Sequence, residues 1–127
     1  MRDRDGPVLV VDDFKTMRRI VRNLLAQIGI ANVEEAIDGS TALTRMRAGK
    51  IGLVISDLHM QPMSGLELLK AVRADATLKD TPFIVISSDN ATRAVIAART
   101  AGASSYIIKP FKAETLRRKI EAVLAAP

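Results

Sequence analysis

The chain has 127 residues, 48% of them hydrophobic and 26% charged, with 19 Lys and Arg against 14 Asp and Glu and no cysteine. The length sets one domain as the starting expectation and lets about two-thirds of the unfolded surface be buried, so a core needs no staples. The missing cysteine excludes disulfides, thiolate chemistry and cysteine-type zinc sites.

Met1 to Pro7 lacks the ~7–15-residue apolar core of a signal peptide, and no apolar run approaches the ~18 residues of a membrane span. A soluble, cytoplasmic protein without membrane contact is expected. Val8-Leu9-Val10-Val11 is a β-branched apolar run of the kind buried on both faces of a sheet, and it ends in Asp12-Asp13. Met17, Ile20, Val21, Leu24, Leu25 and Ile28 then recur at helical spacing, with Lys15, Arg18, Arg19 and Arg22 off that face and Gly29 as the stop. Val33 to Ala36 is short and polar, as an edge strand should be. Asp38 to Ala48 predicts a second helix with Ala42, Leu43 and Met46 inward, closed by Gly49.

Leu53-Val54-Ile55 is a third apolar run that stops at Asp57, followed by a loop containing Pro62. Ser64 and Glu67 fit a capping box, so a third helix starts there, with Leu66, Leu69 and Val72 inward and its end near Asp75. After Thr81-Pro82, Phe83 to Ile86 is a fourth strand ending in Ser87-Ser88-Asp89-Asn90. A fourth helix follows, with Val95, Ile96 and Ala98 inward and Gly102 at its end. Tyr106-Ile107-Ile108 ends in Lys109-Pro110, and a last helix puts Leu116, Ile120, Val123 and Leu124 on one side and Arg117, Arg118 and Lys119 on the other.

Strand alternating with helix five times implies an α/β fold: a parallel sheet with helices on both faces and right-handed crossovers. All strands then point one way, and their carboxyl ends form one rim, where such folds bind ligands. The apolar strands deliver Asp12-Asp13, Asp57, Ser87-Ser88 and Lys109 to it. At ~4 Å and an effective dielectric of ~20, each pair of carboxylates repels by about 4 kcal/mol before relaxation, so a cation must neutralise them. Oxygen ligands without His or Cys point to Mg²⁺. A hydroxyl and an ammonium opposite the metal suit an anion with several oxygens, such as a phosphoryl group in in-line transfer.

Each residue alone has a blander explanation. Asp12-Asp13 can simply cap a helix, His59 can be a surface residue, Met60 and Met63 can pack a loop, and the arginines can form solvated faces. Together, however, Val10-Val11-Asp12-Asp13, Asp57 with Met60, Met63 and Gly65, Ser87, Ala101-Gly102-Ala103 and Lys109-Pro110-Phe111 make a pattern. It resembles the receiver domain of bacterial response regulators over nearly the whole chain, and within that family the single-domain chemotaxis regulators.

The resemblance implies one flavodoxin-like receiver domain over residues 1–127, strand order 2-1-3-4-5, with no output domain. It implies that Asp57 accepts a phosphoryl group from a histidine kinase. Asp13 and Asp57 would ligate Mg²⁺ with the backbone carbonyl of His59, and Asp12 would act largely through water. Ser87 and Lys109 would bind the phosphoryl oxygens, and Lys109-Pro110 would be cis. Tyr106 would turn inward as Ser87 moves, His59 and Asp89 would tune dephosphorylation, and the face of helix 4, strand 5 and helix 5 would dock a protein target, with the flagellar motor switch as one such target. That face offers Val95, Arg99, Tyr106 and Lys119. The family usually has proline directly after the methionine that is Met60 here, and an acidic residue where Ser64 stands. A loop of different shape is therefore expected.

Other functions compete. A phosphohydrolase using an aspartyl phosphate would carry a second carboxylate two residues after its nucleophile, where His59 stands, so self-phosphorylation and self-dephosphorylation are the only activities expected. A phosphate sink, a regulator outside motility, or a basic nucleotide-binding effector remain alternatives. The net charge of +5 favours anionic partners. Phe14, Phe83, Tyr106 and Phe111 are too scattered to form a base-stacking platform, which argues against nucleic acid.

Overall fold

The computed structural model describes residues 6–125, so the expectation for Met1 to Asp5, and the last two residues of the expected domain, lie outside the described part. The elements are β1 (Val8–Val11), α1 (Lys15–Gln27), β2 (Val33–Ala36), α2 (Gly39–Arg47), β3 (Leu53–Asp57), α3 (Gly65–Ala74), β4 (Phe83–Ser87), α4 (Thr92–Thr100), β5 (Ser105–Ile108) and α5 (Ala113–Ala125). All strand pairs are parallel, in the order β2-β1-β3-β4-β5. This is the expected α/β, doubly wound architecture.

The two-residue period of a strand divides the core into two layers. Leu9, Val11, Val54, Phe83 and Val85 face α2, α3 and α4, meeting Ala42, Met46, Leu68, Leu69, Val72 and Ala98. Val8, Val10, Leu53, Ile55, Ile84 and Ile86 face α1 and α5, meeting Val21, Leu25, Leu116 and Ile120. Because the central strands are covered on both sides, they read as continuous apolar runs.

Edge strand β2 is different. Glu34 points to the α2 side and is held bidentately by Arg45, whereas Glu35 points to the α1 side and is held by Arg18 and Arg22, each at 2.9 Å.

Three inward assignments fail. Ile20 is 44% exposed and Ile96 is 56% exposed. Val95 is half-buried but lines a surface groove and packs in neither core layer. On α4 the inward face is alanine: Ala98 is buried, and Ala94 and Ala101 pack on the same layer. A helix surrounded by this little volume can sit close to the sheet, and the bulkier Ile96 is left outside. Asp38 lies outside α2 as its N-cap, with its carboxylate accepting from the Thr41 N–H, and β5 begins one residue early, at Ser105. The capping box at Ser64 and Glu67 is present as expected.

Candidate functional site

The chain crosses over in opposite directions after β1 and after β3, which opens a crevice at their carboxyl ends. Asp12 leaves β1 there. Its N–H donates to the Ala36 carbonyl, its Oδ1 accepts from the Phe14 N–H at 2.9 Å, and its carbonyl accepts from Arg18 Nη1 at 2.7 Å. Asp12 is not the cap of α1, whose N-cap is Phe14 without a side-chain hydrogen bond. Its Oδ1 shapes the turn that precedes the helix, while Oδ2 lies 3.6 Å from the Lys109 ammonium.

Asp57 is the last residue of β3, and its peptide is packed against Gly65 so tightly that a β-carbon at Gly65 would lie 2.0 Å from the Asp57 carbonyl oxygen. Gly65 N–H donates to the Leu58 carbonyl at 2.8 Å and closes the intervening loop. That loop holds Met60 buried and Met63 packed on the core, as loop-packing methionines, and its Gln61-Pro62 bond is cis. Lys109-Pro110 is also cis, as the resemblance implied.

One oxygen from each of Asp12, Asp13 and Asp57 falls within 4.8 Å of the others. Lys109 reaches in from β5, its ammonium 2.8 Å from Asp57 Oδ1 and 3.6 Å from Asp12 Oδ2. Burial pushes the Asp12 carboxyl above the usual carboxylate range; the Phe14 N–H opposes it, Asp57 adds to it, and Lys109 and Asp13 contribute lesser effects of opposite sign. Asp12 Oδ2 is buried and lacks a hydrogen-bond partner among the described residues. A buried carboxylate oxygen without a hydrogen bond is costly, and the Lys109 ammonium at 3.6 Å is too far to donate one, which leaves room for a cation to complete it. This three-carboxylate, all-oxygen set therefore fits a hard divalent cation such as Mg²⁺.

Ser87, buried at the end of β4, lies one register step beyond the Asp57–Ile86 pair, and its Oγ accepts from the Asp89 N–H at 3.0 Å. Ser88 is exposed and does not join it. His59 and Asp89 meet at the mouth, Nε2 to Oδ2 at 3.2 Å, with the His59 side chain 68% exposed. The Ala91 N–H, and then His59, hold the Asp89 carboxyl below its ordinary range. Tyr106 is half-buried and its hydroxyl donates to the Asp89 carbonyl at 2.7 Å. Burial raises its phenol above the usual value, with the Ser87 hydroxyl working the other way.

Val95, Arg99, Tyr106 and Lys119 all line one groove of about 210 Å³, together with Ala103 and Ile108. The charge of the chain is distributed unevenly around it. Up to Asn90 there are twelve Lys and Arg and twelve Asp and Glu, whereas from Ala91 on there are seven against two. The whole net charge of +5 therefore belongs to α4, β5, α5 and their loops. Both acids of this part, Glu114 and Glu121, are engaged by Arg117.

Sequence reasoning missed Arg18. It was placed on a solvated face, yet its side chain is only 12% exposed and it braces the Asp12 turn. Its partners, a backbone carbonyl and Glu35 seventeen residues on, leave no local signal.

Residues 8–121 match the family model described as the response regulator receiver domain. Chemotaxis protein CheY of Pseudomonas aeruginosa is 43% identical over 116 residues, spanning 91% of this chain and 94% of that protein. Chemotaxis protein CheY-3 of Vibrio cholerae serotype O1 is 45% identical over 121 residues, spanning 95% and 93%. Among solved structures, Vibrio cholerae chemotaxis protein CheY4 superposes with a TM-score of 0.84 at 33% identity, covering 92% of this chain and 97% of that one. The receiver domain of NtrX from Brucella abortus gives 0.84 at 30% identity, covering 94% and 99%.

Proposed function

This chain belongs to the response regulator receiver family, and from that premise we propose that it is a single-domain regulator of a two-component phosphorelay. It takes a phosphoryl group on Asp57 from the phosphohistidine of a histidine kinase, and the phosphorylated form binds a protein target. The named relatives are chemotaxis proteins, so the setting is chemotaxis, in the cytoplasm, with the flagellar motor switch as the target. Among the described residues no helix is long and apolar enough to cross a membrane.

In the transfer a carboxylate oxygen of Asp57 attacks phosphorus, the P–N bond breaks, and the imidazole leaves with its electron pair. Asp13, Asp57 and the His59 carbonyl would hold Mg²⁺, with Asp12 behind them through water; when bound, the metal neutralises charge on the incoming phosphoryl oxygens. Lys109 already neutralises Asp57 through Oδ1 and is free to follow a phosphoryl oxygen. The Ser87 hydroxyl donates to another. No separate substrate is turned over: His59 occupies the place where a phosphohydrolase would need its second carboxylate.

The observation that carries this is the Lys109 ammonium seated on Asp57 amid three converging carboxylates. The test is Mg²⁺-dependent labelling by a small phosphodonor such as acetyl phosphate. Asp57→Asn should abolish labelling, and Asp13→Asn should weaken Mg²⁺ binding severely. Labelling that persists in Asp57→Asn moves the phosphoacceptor elsewhere and overturns the assignment.

For the target, the groove lined by α4, β5 and α5 combines the apolar Val95, Tyr106 and Ile108 with the cationic Arg99 and Lys119. An acidic amphipathic helix fits it, steered by charge and anchored by apolar contact.

A further inference from the structure

The two ends of α4 are held differently. The helix runs from the carboxyl rim of the sheet, just after the Asp89 loop, to the amino rim, where Gly102 turns the chain toward β5. At its first end Ala91 is the N-cap, with no capping hydrogen bond from its side chain, and along the helix only Ala98 is buried. The Ala91 N–H donates to Asp89 Oδ1 of the preceding loop at 3.0 Å, a contact local to that loop.

Its last end is gripped by Arg73, from the final turn of α3. Arg73 Nε donates to the Gly102 carbonyl at 2.9 Å, and Nη1 donates to the carbonyls of Lys79 and Thr81 at 2.9 and 2.7 Å. Nη2 lies 3.5 Å from Ser104 Oγ. Ser104 in turn accepts from the Phe83 N–H at 3.0 Å and donates its own N–H to the Phe83 carbonyl at 2.7 Å, joining the starts of β4 and β5.

None of these acceptors is charged. A guanidinium withdrawn from water usually pairs with a carboxylate; burial here pulls Arg73 below its ordinary range, with Asp80 offsetting part of it. Gly102 matches the arrangement: its φ is +105°, and a β-carbon there would come within 3.0 Å of Arg73 Cγ and Nε. Arginine and glycine together make a fixed joint at the amino rim.

Tyr106 bridges from that joint to the first end. Its backbone lies two residues beyond Ser104, and its hydroxyl rests on the Asp89 carbonyl, just ahead of α4. We propose that Arg73 is the pivot of the switch, a positioning residue that holds the C-terminal end of α4 and the start of β5 still, so that rearrangement at the phosphorylation pocket appears as movement of the N-terminal half of α4 and of Tyr106. The inference rests on the phosphorylation switch proposed above.

The test uses a built-in reporter. The chain has one tyrosine and no tryptophan, so ultraviolet emission of the intact protein reports Tyr106 alone. In wild type, Mg²⁺ with beryllium fluoride should change this emission and alter amide exchange over residues 89–98, while exchange over 100–105 stays within about twofold. Arg73→Met should raise exchange over 100–105 by roughly tenfold and at least roughly halve the Tyr106 response, with the initial rate of Asp57 labelling within about twofold of wild type. Arg73→Lys keeps the charge but not the fork and should fall between the two; it carries the comparison alone if Arg73→Met does not fold. A folded Arg73→Met with wild-type exchange and emission, or an Arg73→Lys with them where it stands alone, overturns the pivot and leaves the switch intact. A wild type whose Tyr106 ignores beryllium fluoride overturns the switch and the pivot with it.

Discussion

Gly65→Ala separates the geometry of the phosphoacceptor from the stability of the helix that follows it. A β-carbon at this position would stand 2.0 Å from the Asp57 carbonyl oxygen and 3.0 Å from both the Asp57 carbonyl carbon and Leu58 Cα, so the backbone of β3 must retreat by about 1 Å or more. Backbone cannot step aside as a side-chain tip can, which puts the overpacking cost at the upper end of about 1–3 kcal/mol. A displacement of ~1 Å at a reacting group costs on the order of 100-fold in rate. The control is Ser64→Ala, which removes half of the capping box one residue away and costs roughly 1 kcal/mol without touching Asp57. At about 4 °C per kcal/mol for a domain of this size, the expected loss of Tm is ~4 °C for Ser64→Ala and ~10 °C for Gly65→Ala. Initial rates of acetyl phosphate labelling, measured below both midpoints, should be unchanged in Ser64→Ala and roughly 100-fold lower in Gly65→Ala. Equal rates in the two variants would show that the close approach to Asp57 does not set the position of the phosphoacceptor.

Replacing His59 or Asp89 by alanine should change the lifetime of the phosphorylated form without preventing its formation, because their side chains meet beside the pocket, 3.2 Å apart and open to solvent; identical decay in both variants and wild type would refute this. Ser87→Ala should still be phosphorylated but leave Tyr106 emission unresponsive, and a full response in that variant would break the link between hydroxyl and ring. Tyr106 should ionise above the ordinary tyrosine value of about 10, since burial opposes the phenolate. Its stabilising contribution is present below the unfolded value and fades as pH rises through the folded one; a single-tyrosine absorbance titration with an unshifted midpoint would contradict the burial. Between roughly 0.05 and 0.5 M salt the screening length shrinks about threefold, so association with the target should slow over that range and Arg99→Glu should weaken it. Insensitivity to both would place the target on another surface.

What the sequence disclosed depended on how locally each feature is encoded. The strands were legible because Val8 to Val11, Leu53 to Ile55 and Phe83 to Ile86 are covered on both faces and tolerate no polar interruption. The pocket was legible because strand ends are positions along the chain, and a parallel sheet carries them to one rim whatever the details of packing. The failures were angular. Hydrophobic spacing assigns a residue to a broad face of a helix, and on α1 and α4 the sheet took up Val21 and Ala98 while Ile20 and Ile96 lay outside the contact. Arg18 and Arg73 were illegible for another reason. Their acceptors are mostly backbone carbonyls brought close by the fold, and a carbonyl has no letter in the sequence.

The arginines that grip β2 also guard the border of the sheet against other chains. An unpaired strand edge invites a foreign strand, and a visitor here would meet two glutamates already bound on opposite faces. That guard depends on acidity. The Arg45 hydrogen bond holds Glu34 below the ordinary carboxylate range, and at Glu35 burial works upward but Arg18 and Arg22 outweigh it. Both contributions are complete above the unfolded glutamate value and disappear as pH falls through the folded ones. Acidification should therefore release these side-chain ties, each worth little on an exposed edge, while the backbone pairing of β2 with β1 remains, so that the edge keeps its place and loses its charged guard.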